Sequence, residues 1–180
     1  MRRVDFEHVV HAASQISEEV EFVVIGSQAI LGTDPNPPDD LQRSMELDIY
    51  RRDAPEKAEE IDGVLGDGSP FQRTYGYYAH GVGPETAKAP KGWEGRLILV
   101  EVSPRTASEQ GAVARCLEAH DLVLAKCVRG DQRDWEFAQG ALEAGLVEIE
   151  VLLDRVGDLP VDADQRDRIS RMLMARTKAI

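Results

Sequence analysis

The sequence has little cysteine and no long apolar run, and each shortage excludes a class of protein. Its two cysteines, Cys116 and Cys127, are too few for a disulfide framework and lack metal-binding spacing, so we predict reduced thiols. No apolar run has the length that crosses a bilayer, and the opening MRRVDFEHVV lacks the apolar core of a signal peptide. These absences predict a cytoplasmic protein that does not contact membranes.

Basic residues are also scarce, with 21 lysines and arginines against 33 acidic residues and a net charge of −12. A protein that neutralises many phosphates normally presents a basic face, so this balance argues against tight binding to duplex DNA. A small nucleotide delivered with its metal ion, or an RNA end in a locally basic groove, is still compatible with it. The length of 180 residues, 42% of them hydrophobic, predicts a single soluble domain over residues 1–180.

The stretch from Glu21 to Tyr50 carries most of the functional signal. The apolar run FVVI stops at Gly26-Ser27 and continues into QAIL, which predicts a buried strand, a tight turn and the start of a helix. Glycine lets the backbone approach a ligand closely, and free N–H groups at the start of a helix attract anions. We therefore predict that a phosphate group binds at Gly26 and Ser27.

Two acidic residues follow on a second predicted strand, MELDIY. Alternation places Glu46 and Asp48 on one face of that strand and their apolar neighbours on the other. Two carboxylates on one face repel each other unless a hard divalent cation lies between them. Such alternation is also common where a half-buried strand faces water. The Gly-Ser turn upstream favours the metal site, and the two features together suggest a nucleotide.

This order of features resembles the nucleotidyltransferase fold of the polymerase-beta superfamily. The wider run, with YGYYAHGVGPETA, GWEGRL, HDLVLAK and RDWEF, is similar to a bacterial family of nucleotidyltransferase-like proteins related to the AbiEii toxins, from about Glu21 to about Asp158. The resemblance implies that Gly26 and Ser27 hold the phosphates and that Glu46 and Asp48 hold Mg²⁺. It also implies a third acid on a later strand, and Glu101 in LILVEVS matches that position.

Three residues of the second half match positions that lie near the active site in related proteins. They are Lys126 in HDLVLAK and the pair Arg133 and Asp134 in GDQRDWE. The resemblance implies that they contact the nucleotide, with Lys126 as a charge for the triphosphate and Asp134 as a helix cap or as the partner of Lys126. A surface salt bridge between helices is the alternative for these residues. For Glu101 the alternative is an acid at a strand end, already in solvent.

The remaining pattern predicts an α+β fold in which a mixed sheet backed by helices is followed by a helical C-terminal region. We expect a nucleotidyltransferase-like core over residues 1–115 and a helical subregion over residues 116–180. Apolar spacing predicts helices from about Val4 to Glu19 and from Ala54 to Leu65, and several more from HDLVLAKCVRG to Ile180. The segments FQRTYGYYAHG and GRLILVEVS read as two strands that pair as a hairpin with a long tip.

Two segments near the acid pair have both a structural and a functional interpretation. The proline-rich loop GTDPNPPDDLQRS is either a surface excursion or a flap that brings Arg43 or Ser44 to the phosphates. The aromatic residues Tyr77 and Tyr78 either fill the core or stack on a base, and His80 beside them could contact the acceptor.

These features predict an Mg²⁺-dependent nucleotidyltransferase that moves a nucleoside monophosphate from an NTP to a hydroxyl acceptor. The resemblance to AbiEii-type toxins implies tRNA as the first acceptor to test and an antitoxin protein as a partner. The alternative is a catalytically inactive member of the same fold that binds a nucleotide or a protein. Glu46, at a position where aspartate is more usual, and the long loop after the Gly-Ser turn favour this alternative.

Overall fold

A computed structural model describes residues 1–17 and 19–177. The strands are β1 (Glu21–Ile25), β2 (Glu46–Arg51), β3 (Tyr78–Gly81), β4 (Ile98–Val102) and β5 (Ala112–Cys116). The α-helices are α1 (Arg3–Ser17), α2 (Ile30–Thr33), α3 (Ala58–Leu65), α4 (Pro70–Tyr75), α5 (Ala119–Arg129), α6 (Gln132–Glu143), α7 (Ile149–Arg155) and α8 (Ala163–Thr177). Within the described ranges, no helix combines the length and the apolar character needed to span a membrane.

The strands form one mixed sheet in the order β3-β2-β1-β5-β4. The pairs β1–β2 and β4–β5 are antiparallel, whereas β1–β5 and β2–β3 are parallel. The central strand β1 is buried from Phe22 to Ile25 because neighbouring strands flank it and helices cover the sheet. The predicted α+β class, with a mixed sheet backed by helices and a helical C-terminal region, is confirmed.

The first helix shows how the apolar spacing directs packing. Phe6, Val9, Val10 and Ala13 recur every three or four residues on α1, and all four are buried. The helix packs this face against α3, β4 and β5. The predicted helix is confirmed to Ser17, and Glu18 lies outside the described residues. Similarly, the predicted final helix is present as α8, while its expected last residues, 178–180, lie outside the described part of the chain.

The predicted hairpin is wrong. The segment β3 lies at one edge of the sheet, parallel to β2, and β4 lies at the opposite edge. The residues before β3 form helix α4 because the Ser69 side chain accepts a hydrogen bond from the Gln72 N–H and Pro70 occupies the first turn. Phe71 and Tyr75 thus lie on a helix, and the strand begins only at Tyr78.

Strand β5 was not predicted, and it occupies an inner position between β1 and β4. Its residues alternate between buried and half-buried, as expected for a strand, but only five residues form it. Parallel pairing of β5 with β1 places the start of α5 beyond the end of β1. Strand β5 therefore links the Gly-Ser region to the C-terminal helices.

A buried ion-pair network holds α5 against α7. Asp121 is fully buried and accepts hydrogen bonds from Arg96 (Nε–Oδ2, 2.7 Å) and Arg155 (Nη1–Oδ1, 3.0 Å). Glu118 caps α5 by accepting from the Asp121 N–H, and it also binds Arg155 at 2.7 Å and His120 at 2.5 Å. Each carboxylate thus has cationic partners, which offsets the cost of burying its charge.

We predict that Glu118→Gln lowers the free energy of unfolding by about 1–3 kcal/mol at pH 7, because the hydrogen bonds to a charged acceptor are lost. Burial alone would raise the pKa of Glu118, but the hydrogen bonds from His120 and Arg155 lower it from 4.5 to about 2. The lowered pKa means that the carboxylate stabilises the fold fully above pH 4.5. That stabilisation is lost as the pH falls from 4.5 towards 2.

Urea unfolding at pH 7 and at pH 3.5 measures this effect. Glu150→Gln, at an exposed position on α7, is the matched control and leaves stability unchanged at both pH values. We expect the difference in free energy of unfolding between wild type and Glu118→Gln to be smaller at pH 3.5 than at pH 7. An equal difference at both pH values would contradict the assigned ionisation of Glu118.

Candidate active site

The turn after β1 brings the backbone against a carboxylate. Gly26 has φ 70°, and a Cβ atom placed there would lie 1.9 Å from Oδ2 of Asp48. Antiparallel pairing of β1 with β2 causes this proximity, since Ile25 and Asp48 are register partners. Only glycine satisfies both the backbone angle and the space. The structure therefore places the predicted phosphate-binding turn and the predicted metal ligand in direct contact.

Glu46 and Asp48 share one face of β2, and a histidine from β3 joins them. The parallel register pairs Asp48 with His80, whose Nδ1 lies 3.0 Å from Oδ1 of Asp48 and 2.8 Å from Oε1 of Glu46. The ligand atoms of these three residues all lie within 4.8 Å of one another. The side chains are 36%, 24% and 47% exposed for Glu46, Asp48 and His80. The group is therefore open to a ligand from the solvent.

The pKa values of Glu46, Asp48 and His80 are all shifted by burial and by one another's charges. Burial, together with the neighbouring charge of Asp48, raises the pKa of Glu46. Burial also raises the pKa of Asp48, against the opposing effect of His80. Burial alone would lower the pKa of His80, but the hydrogen bond to Asp48 and the charge of Glu46 raise it overall. The two carboxylates are thus costly to keep charged without a partner, and His80 is the neighbouring group that can supply a positive charge.

The spacing of this group also fits a divalent cation. Ligand atoms in adjacent positions around an octahedral cation, at about 2.1 Å from it, lie about 3.0 Å apart. The distances of 2.8 Å and 3.0 Å from His80 Nδ1 to the two carboxylates are those of ordinary hydrogen bonds, and a cation could replace the shared proton with little change in these separations. The residues present therefore fit a divalent cation, with Glu46 and Asp48 as its oxygen ligands.

Glu101 does not belong to this group, and its predicted role as the third metal ligand needs correction. Strand β4 lies three strand positions from β2, about 14 Å across the sheet. Glu101 pairs with Val113, which pairs with Glu21, four residues before the partner of Asp48. Glu101 is also exposed. Glu101 is therefore a solvent-exposed acid on a strand, as the alternative interpretation proposed. The third side chain beside Glu46 and Asp48 is His80.

Helices α5 and α6 provide the cationic wall of the site. Asp134 is fully buried and accepts hydrogen bonds from Arg129 (Nε–Oδ2, 2.7 Å) and Lys126 (Nζ–Oδ1, 3.4 Å). Its side chain also completes a capping box with Asp131 at the start of α6. Asp134 thus caps its helix and fixes Lys126, the two roles expected for it. Arg129 was missed, although it follows Lys126 by three residues on the same helix.

Lys126 is buried rather than part of a surface salt bridge. Its Nζ lies 4.7 Å from the ring centroid of Phe137, so the ammonium contacts an aromatic face as well as Asp134. Burial lowers the pKa of Lys126, and the charges of Asp134 and Asp48 oppose that shift. A cation with this little water around it interacts strongly with any anion that enters the site.

One cavity of about 1490 Å³ contains nearly all of the predicted site residues. This volume exceeds the roughly 300–1,000 Å³ of typical small-molecule sites, so the cavity has room for more than one substrate. The predicted site residues that line it are Gly26, Ser27, Glu46, Asp48, Lys126, Arg133 and Asp134. Arg133 is exposed and adds positive charge to the wall formed by α6.

The proline-rich loop forms another wall of the same cavity. Its residues Asp39–Gln42 form a 3₁₀ helix, and Leu41 is buried against α6. Gly140 on α6 permits this packing, since a Cβ atom there would lie 2.8 Å from Oδ2 of Asp40. Arg43 and Ser44, which follow, line the cavity, and their approach to the phosphates stays a prediction.

The two tyrosines before His80 have different surroundings. The hydroxyl of Tyr77 lies 2.7 Å from Nδ1 of His8, and its ring belongs to an aromatic cluster with Phe71 and Tyr75. Tyr77 therefore packs between α1 and α4, as the core interpretation of the aromatic pattern held. Tyr78 pairs in register with Glu46, whose charge contributes to a raised pKa of Tyr78 after the larger effect of burial.

We predict that Gly26→Ala weakens binding of a divalent cation at least tenfold and lowers the free energy of unfolding by about 1–3 kcal/mol. The new methyl group would displace the Asp48 carboxylate and would strain the backbone. Calorimetric titration with Mn²⁺ and thermal unfolding measure both effects. Gly157→Ala, where a Cβ atom meets nothing within 4 Å, is the control. Unchanged cation affinity in Gly26→Ala would contradict the close contact.

We predict that Asp134→Asn lowers the free energy of unfolding by about 3–5 kcal/mol, because Lys126 then stays buried without its anion. Urea unfolding measures the loss. The double variant Lys126→Met/Asp134→Asn recovers part of it, since no uncompensated ammonium remains. If adding Lys126→Met recovers none of the free energy of unfolding that Asp134→Asn loses, Lys126 and Asp134 are not coupled.

Comparison with known proteins identifies the family of the chain. No curated protein and no solved structure matches the chain at a significant level. A family model described as "Nucleotidyltransferase of unknown function (DUF6036)" matches residues 4–180. This match covers the sheet, the cavity and the C-terminal helices together. The chain therefore belongs to the DUF6036 family of nucleotidyltransferases.

Proposed function

We propose that this protein transfers a nucleoside monophosphate from an NTP to a hydroxyl acceptor, with the help of a divalent cation. The observation that carries the proposal is the contact between Gly26 and Asp48 inside a cavity that also contains Lys126. A backbone turn for phosphates, carboxylates for a cation and buried positive charge are the parts that this chemistry needs. That Gly26, Asp48 and Lys126 all line one cavity supports the proposal.

In the proposed reaction the acceptor hydroxyl loses its proton to water and its oxygen bonds to the α-phosphorus. The bond from the α-phosphorus to the bridging oxygen breaks, and pyrophosphate leaves with the bonding electron pair. A divalent cation, Mg²⁺ in the sequence prediction, neutralises charge on the phosphate oxygens when it is bound. Glu46 and Asp48 would hold it. The absence of a side chain at position 26 lets the backbone of this turn approach phosphate oxygens closely.

The positive side chains supply the remaining charge for the triphosphate. Lys126 is held in place by Asp134 and Phe137, so it needs little reorganisation when an anion binds. Arg129 is bound to Asp134 by two hydrogen bonds and reaches the same cavity. Arg43 and Arg133 line it from the loop and from α6. These residues bind and orient the leaving pyrophosphate.

The charge of the cavity supports an RNA end, such as that of tRNA, as the acceptor to test first. The cationic residues that line it are Arg43, Lys88, Lys126, Arg129, Arg133 and Arg176, and the acidic ones are Asp40, Glu46, Asp48, Asp134, Glu136 and Glu143. The lining is thus balanced in charge, whereas the whole chain carries −12. A lining that is neutral overall repels an anionic substrate less than the acidic remainder of the chain does, which supports a second anionic substrate in this cavity.

Transfer of label from each α-³²P-labelled NTP to total tRNA tests the proposal. We expect transfer with at least one NTP, and a decrease of at least about 100-fold in Asp48→Asn because a ligand for the charge-neutralising cation is lost. Asp154→Asn, at an exposed position on α7, is the matched control and keeps full activity.

Calorimetry with the same nucleotides separates the remaining outcomes. Binding of an NTP without transfer to RNA or to small hydroxyl acceptors would indicate the catalytically inactive alternative. No binding of any NTP, with a divalent cation present, would contradict the proposed function itself.

A further inference from the structure

The side chain that completes the metal site is a histidine. Among the described residues, Glu46, Asp48 and His80 form the one group of three or more ligand-type side chains whose ligand atoms lie within 4.8 Å of one another. The strand that was expected to supply a third carboxylate places its acid, Glu101, elsewhere. The third position is therefore occupied by an imidazole.

The fold fixes the imidazole in that position. The parallel pairing of β2 and β3 places Asp48 and His80 side by side, and Glu46 lies on the same face two residues earlier. Nδ1 of His80 points between the two carboxylates, at 2.8 Å from Glu46 and 3.0 Å from Asp48. These are hydrogen-bond distances, and adjacent ligands of one cation have similar separations. A cation between the carboxylates would take the place of the proton that His80 shares with them.

The chemistry of these ligands differs from that of three carboxylates. Two carboxylates and a neutral imidazole carry one negative charge fewer than three carboxylates do, and they offer a nitrogen. Mg²⁺ prefers oxygen ligands, whereas imidazole is a better ligand for first-row transition cations. The difference in ligand type therefore bears on which cation the site prefers.

We propose that His80 is a ligand of the divalent cation through Nδ1, and that the site binds a first-row transition cation in preference to Mg²⁺. The proposal rests on the nucleotidyl-transfer function proposed above, whose cation it identifies by chemical class. In this proposal His80 contacts the cation. The sequence pattern had instead suggested a contact between His80 and the acceptor.

Pulsed electron paramagnetic resonance of the Mn²⁺ complex tests the ligand directly. We expect nuclear modulation from an imidazole nitrogen in the wild type and its loss in His80→Gln. In His8→Gln the modulation persists, because that histidine contacts Tyr77 instead. Labelling the protein with ¹⁵N-histidine changes the modulation frequency if the coupled nucleus is a histidine nitrogen.

A second measurement tests the preference between cations. Calorimetric titration with Co²⁺ and with Mg²⁺ gives the ratio of their affinities in the wild type and in His80→Asp. We expect this ratio to fall at least about tenfold in His80→Asp, which restores three oxygen ligands. Cation binding by the variant also shows that it is folded.

The outcomes distinguish this proposal from the proposed function. Bound Mn²⁺ without nitrogen modulation, or an unchanged ratio of affinities in His80→Asp, would overturn the role of His80. Label transfer from NTP would still occur in that case, because it depends on Glu46 and Asp48. Absence of cation binding with and without NTP would overturn both proposals.

Discussion

The contact between the backbone at Gly26 and the carboxylate of Asp48 is the constraint on which the rest of the site depends. A Cβ atom at position 26 would lie 1.9 Å from Oδ2 of Asp48, so no other residue allows the turn and the carboxylate to coexist. The contact exists because β1 and β2 are adjacent and antiparallel, which places the end of one beside the middle of the other. A phosphate at the turn and a cation at Asp48 would therefore be neighbours.

The other elements add to this contact from both sides. On one side, β3 extends the sheet in register and adds His80 to the carboxylates. On the other, β5 leads into α5, and α5 with α6 brings Lys126 and Asp134 to the same cavity. The negative and positive parts of the site thus come from distant segments of the chain. The sheet order, rather than any single motif, places them together.

The sequence predicted the parts of this site that depend on local patterns. The Gly-Ser turn and the alternating acids follow from nearest neighbours along the chain, and the structure places them as expected. The strand at Glu101 was also predicted correctly, but its place in the sheet was not. Strand order depends on long-range pairing, and an apolar strand with one acid looks the same at either edge.

The same limit explains His80. Its sequence neighbours suggested an aromatic strand, and only the parallel register of β2 and β3 reveals that it lies beside Asp48. The short strand β5 was missed because five residues of alternating burial carry a weak signal without their partners. Helix α4 was read as a strand because aromatic residues are enriched in strands, and the Ser69 cap and Pro70 in the first turn override that preference.

The central claim is that the Gly-Ser turn and the acid pair form one site for a nucleotide and its cation. Anomalous diffraction from crystals grown with Mn²⁺ and a non-hydrolysable NTP analogue tests it most directly. The account predicts a manganese peak at about 2.2 Å from oxygen atoms of Glu46 and Asp48, with the phosphates against Gly26 and Ser27. A nucleotide bound outside this cavity, or a manganese peak away from both carboxylates, would contradict it.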